Sequence, residues 1–105
     1  MANETLVQTK ILKYLTELEN KKYPVWHERR QAGGFNYKKG IPDVYFVFLG
    51  LHIEVECKGI GGTPSVKQLE FERKIKNTGG LYLRTASFEE FKTFVETKLF
   101  PLMKK

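Results

Sequence analysis

The sequence predicts an α/β fold, mixed α+β in layout, with element order αβββαβα and a small mixed sheet flanked by helices. Three observations carry this expectation. Apolar residues near the start recur at three- and four-residue steps, the period of a helix. Two central apolar runs sit on either side of a lone Gly50, as in a hairpin. Two serines, Ser65 and Ser87, each open a further helical run, with a short strand between those runs. The 105 residues suit one compact domain, and eight phenylalanines, five tyrosines and a tryptophan are enough to build its core.

In the first element, Asn3 to Asn20, the residues Leu6, Val7, Ile11, Leu12, Leu15 and Leu18 form one apolar stripe. Asn3 is placed as N-cap and Glu4 in the first turn, where the helix dipole favours a carboxylate. Lys21-Lys22-Tyr23-Pro24 ends the helix. Val25 to Arg30 reads as a strand, with Trp26 assigned to the core. Gln31 to Gly40 holds three glycines among aromatic and basic residues and reads as a loop. Val44 to Leu49 is almost wholly apolar, as in a strand buried on both faces. His52 to Lys58 alternates, with Ile53, Val55 and Cys57 on a core side and His52, Glu54, Glu56 and Lys58 on a charged side.

After the connection Gly59 to Pro64, Ser65 caps a helix whose apolar side is Val66, Leu69, Phe71 and Ile75. Asn77-Thr78-Gly79-Gly80 stops it. Leu81 to Thr85 is a fourth strand, which a crossover through the helix can lay parallel to an earlier one. Ser87 with Glu90 forms a capping box for the last helix, whose stripe is Phe88, Phe91, Phe94, Val95 and Leu99.

A formal net charge of +6 favours a polyanionic partner. Most basic pairs read as solvated surface. Arg29-Arg30 and Lys38-Lys39 stand apart because they precede Asp43 closely, and they are the expected phosphate contacts. A single cysteine excludes a disulfide framework and a Cys₂His₂ zinc site. His27 and His52 are too scattered for zinc. No apolar run is long enough to span a bilayer, and the first residues lack the order of a secretory signal, so a cytoplasmic protein is expected.

The chemistry is concentrated in Gly40-Ile41-Pro42-Asp43 and Glu56-Cys57-Lys58-Gly59. On a strand, Glu56 and Lys58 point the same way. Two carboxylates suit a divalent metal, and an ammonium beside them suits a phosphate or an attacking water. This reads as a metal-dependent nuclease. Taken singly, each residue has a plainer reading. Asp43 suits a turn, and Glu56 and Lys58 suit a surface ion pair. Gln68 suits an ordinary helix surface. Glu54 shares the face of Glu56 but lacks its spacing to Lys58. Cys57 reads as a small buried residue, and its carbonyl as a third oxygen donor to the metal. Trp26, Phe35 and Tyr37 are alternative stacking partners for bases.

These motifs, with Ser65-Val66-Lys67-Gln68 after them, resemble the virus-type replication-repair nuclease domain, VRR-NUC, of the PD-(D/E)xK nuclease superfamily. The likeness covers nearly the whole chain, residues 1–105, and is closest to the stand-alone phage and bacterial type. It implies a restriction-endonuclease-like core and a nuclease using Mg²⁺ or Mn²⁺. Asp43, Glu56, Lys58 and Gln68 then correspond to the catalytic set. Glu4 corresponds to a first-helix metal ligand beside Asp43, Glu56 and the Cys57 carbonyl. The resemblance also implies a homodimer acting on branched DNA, in the manner of a Holliday junction resolvase in DNA repair. Two other readings of the chain are a non-catalytic nucleic-acid-binding module on the same fold and a protein-interaction domain.

Overall fold

A computed structural model of the chain describes residues 4–30, 41–58 and 63–104. The Asn3 cap, the loop 31–40 with Phe35, Tyr37, Lys38 and Lys39, and residues 59–62 lie outside the described residues. The elements are α1 (Glu4–Asn20), β1 (Val25–Arg29), β2 (Val44–Phe48), β3 (Leu51–Cys57), α2 (Val66–Asn77), β4 (Leu81–Thr85) and α3 (Phe88–Phe94). This is the expected αβββαβα order.

The four strands form one sheet in the order β1-β2-β3-β4. The first three are antiparallel neighbours, and β4 runs parallel to β3 after the crossover through α2. Alternation along each strand builds two faces. Val44, Phe46 and Phe48 of β2 and Ile53 and Val55 of β3 are buried on the first face. They meet Val7, Ile11, Leu15 and Leu18 of α1 and Phe91 of α3, together with Val95 and Leu99 just beyond α3. Within α1 the stripe is therefore narrower than its apolar residues allow, and Leu6 is left exposed.

On the second face β2 is only half-buried, through Tyr45 and Val47, so it is not covered on both sides as expected. Here the parity of β1 corrects the placement of Trp26. It pairs with Val47, points away from α1, and is 53% exposed. The charged side of β3 is covered instead: Glu54 is 0% exposed and Glu56 9%. α2 lies over this face, with Phe71 edge-on to Tyr82 and Glu72 bonded to Arg84. No residue of α2 is fully buried, and Val66 and Leu69 stay exposed.

Ser87 accepts from the Glu90 amide as expected, but the Glu90 carboxylate reaches past the cap to the Ala86 N–H and the Thr85 hydroxyl. After α3 the last helix changes register into a π turn (Val95–Leu99) and a 3₁₀ turn (Phe100–Met103). Pro101 explains the change, since it offers no N–H to the Thr97 carbonyl and an α register cannot continue through it. Phe88, Phe94 and Phe100 pack partly buried against the core.

The hairpin between β2 and β3 turns on Leu49 and Gly50, with φ of 52° and 82°. Two successive positive φ values are those of a type I′ turn, which asparagine and glycine prefer. A leucine is strained there. Leu49→Asn is expected to raise stability by roughly 0.5–1 kcal/mol, read as a higher urea midpoint.

Candidate active site

Strand register assembles the site. β2 and β3 pair Val44 with Val55, so one step beyond that pair Asp43 stands opposite Glu56. On its other side Glu56 is the register partner of Arg84 in β4. Lys58 follows β3 and keeps the parity of Glu56, and its amide donates to the Thr85 carbonyl. The Lys58 ammonium lies 3.9 Å from a Glu56 carboxylate oxygen.

Gln68 joins this pair from α2. Ser65 caps that helix, and its Oγ accepts from the Gln68 amide at 3.2 Å while the Gln68 Oε1 accepts from the Ser65 amide at 2.8 Å. This reciprocal box fixes where the side chain points. The same Oε1 accepts from Lys58 Nζ at 3.0 Å, and Nε2 donates to Glu56 Oε2 at 2.9 Å. The cap that starts the helix thus also bridges the acid and the base.

Glu4 and Gln8 of α1, Pro42, Asp43, Glu56, Cys57 and Gln68 line one hollow at this end of the sheet. Burial is the main cause that raises the Glu56 pKa. Asp43 and Glu4 push the same way, and Lys58 and Arg84 oppose them. Burial also pushes the Cys57 thiol up to about 12, which leaves it protonated and unreactive at neutral pH. The oxygen donors here, carboxylates and the Cys57 carbonyl, are of the hard type that Mg²⁺ and Mn²⁺ prefer. Among the described residues no three His, Cys, Asp or Glu side chains close into a ready-made cluster. Glu4, Asp43 and Glu56 share the hollow without forming one.

A solved structure described as a VRR_NUC domain superposes on this chain with a TM-score of 0.66 at 21% identity. The match covers 93% of this chain and 99% of that one. This chain has the VRR-NUC fold. No family model matches the sequence, and no curated protein does.

Within the VRR-NUC fold the basic residues expected at phosphate separate. Arg29 is exposed at the end of β1. Arg30 spends its guanidinium internally, with both terminal nitrogens on the buried Glu54 at 2.7 Å and one also on the Pro42 carbonyl. It lies 4.4 Å from the centre of the Tyr45 ring. His52 Nε2 is 2.6 Å from the same Glu54 carboxylate. Glu54 is therefore the anchor of a buried network to which His52 belongs.

Sequence reading missed Gln8 and Arg84. Gln8 stands one turn after Glu4 and so reaches the same hollow. Arg84 is placed beside Glu56 by the parallel register alone. Glu72 holds its guanidinium at 2.9 Å. Hydrogen bonds from Lys76 and then Arg84 keep the Glu72 carboxyl below the usual glutamate value of 4.5. A carboxyl lowered in the folded state adds stability above its unfolded value and loses it as pH falls through the folded one. Glu72→Gln should thus lower the urea midpoint at neutral pH, with the difference closing in acid below the folded pKa.

Proposed function

We propose that the chain is a nuclease that hydrolyses phosphodiester bonds of DNA with Mg²⁺ or Mn²⁺. The observation that carries this is the bridge Lys58–Gln68–Glu56 facing Asp43 across the β2–β3 register. A structural ion pair has no need of a third side chain oriented by its own helix cap, nor of a second carboxylate, Asp43, at the strand end opposite. The VRR-NUC fold supports the reading.

Asp43, Glu56, the Cys57 carbonyl and Glu4 would hold the cation. Bound there, it would supply positive charge at the phosphate and acidify a water. Lys58 orients the attacking water and faces the charge that develops on the phosphate. Gln68 is a positioning residue that keeps Lys58 and Glu56 apart at a fixed distance. Arg29 and the 38–39 lysines meet the flanking phosphates.

The finer reading is a structure-selective endonuclease on branched DNA, one nuclease domain of 105 residues acting as a homodimer in the cytoplasm. A four-way junction has two-fold symmetry, and paired incision asks for two sites about a two-fold axis. Among the described residues no helix is long and apolar enough to cross a membrane.

The test is cleavage of labelled junction, flap, splayed-arm, single-stranded and linear DNA, with and without Mn²⁺. Metal-dependent nicking with preference for the branched forms is expected. The net charge of +6 also suits a second reading, a non-catalytic DNA-binding module on the same fold, although its carboxylates would repel phosphate. Salt-dependent binding to every form, with no cut in Mn²⁺, would select it.

A further inference from the structure

We propose that Gln8 is a further substrate-contacting residue of this site, whose side-chain amide donates a hydrogen bond to a phosphate oxygen of bound nucleic acid. The inference rests on the nuclease reading and extends it to a residue outside the motifs.

Gln8 lines the hollow with Glu4, Asp43, Glu56 and Gln68. Its Nε2 is buried and hydrogen-bonded to nothing among the described residues. A buried donor without an acceptor is costly, and folded proteins keep few of them. The contrast with Gln68 is informative. Both amide atoms of Gln68 are taken up by Lys58, Ser65 and Glu56, so that side chain is complete without a ligand. Gln8 faces the same hollow from the opposite helix with its donor unspent.

Turned into the hollow, the amide can take its acceptor from what binds there. Phosphate oxygens are the acceptors a nucleic acid brings, and a neutral amide can approach them among carboxylates without adding charge. α1 packs against the core through Val7 and Ile11 on either side of Gln8, so the donor is held by a rigid element. Lys58 and Gln8 would then address the same phosphate from the α2 side and the α1 side.

The test uses Gln8→Met, which keeps the length and removes the donor, and Gln8→Glu, which keeps the shape and offers only acceptors. Three readouts are compared with wild type: Tm of the free protein, affinity for a fluorescein-labelled DNA junction in Ca²⁺, and cleavage in Mn²⁺. Gln8→Met is expected to raise Tm while weakening junction binding about tenfold, the loss of one hydrogen bond to a charged group. Gln8→Glu should weaken it further. If wild type binds and cuts while Gln8→Met matches its affinity, Gln8 does not meet the phosphate and the proposal falls alone. A slower cut at unchanged affinity would assign the amide to water and overturn it as stated. If wild type neither binds nor cuts, the nuclease reading falls and takes this one with it.

Discussion

Asp43→Asn and Lys58→Met are each expected to cut DNA in Mn²⁺ about 10²–10⁴-fold more slowly than wild type, with circular dichroism unchanged. The reason lies in how little else each side chain does. Asp43 sits just before β2 begins, and its fold-level work is done by the backbone, where its carbonyl accepts from the Arg30 amide. Among the described residues the Lys58 ammonium meets only the Gln68 amide oxygen, the Thr63 carbonyl at 3.4 Å and the Glu56 carboxylate at 3.9 Å, all of them at the site itself or the loop beside it. Neither side chain supports the core, so their loss should be read in rate and not in folding. Equal rates for all three proteins would remove both residues from the chemistry.

Arg30→Met is expected to cost about 3–5 kcal/mol of stability, read by urea unfolding. The change leaves the Glu54 carboxylate buried, with its side chain 1% exposed, and stripped of its bidentate partner. Among the described residues His52 alone remains on that carboxylate. The double variant Arg30→Met/Glu54→Leu should recover much of the loss, because removing a buried pair together is far cheaper than removing half of it. A stability change below about 1 kcal/mol, as for a solvent-exposed pair, combined with markedly weaker DNA binding, would instead return Arg30 to the phosphate-contact role its position in the sequence suggests.

Arg30 and Asp43 also show what could be read from the chain and what could not. Residue parity within one strand is visible in sequence, and it puts Glu56 and Lys58 on one face. The capping pattern Ser65-x-x-Gln68 is equally visible, and it delivered Gln68 to the site. Pairing between strands is not visible. Arg30 meets Glu54 across the whole of β2, and Arg84 meets Glu56 only because β4 lies parallel at one register. The same gap misplaced Trp26, since hydrophobicity does not say which side of β1 faces the helices. At the C-terminal end the apolar stripe is helical as far as Leu99, yet Pro101 governs the hydrogen bonding before it is reached. Gln8 is not legible in the sequence, because an amide within an amphipathic helix carries no spacing signal; the fold shows its buried nitrogen, without a hydrogen-bond partner among the described residues.

The most direct test is a crystal of the protein grown with Mn²⁺, with data collected for anomalous scattering. The account predicts a manganese peak within coordination distance of the Asp43 and Glu56 carboxylates and the Cys57 carbonyl. A map with those three oxygens turned apart and manganese bound elsewhere, or nowhere, would contradict it.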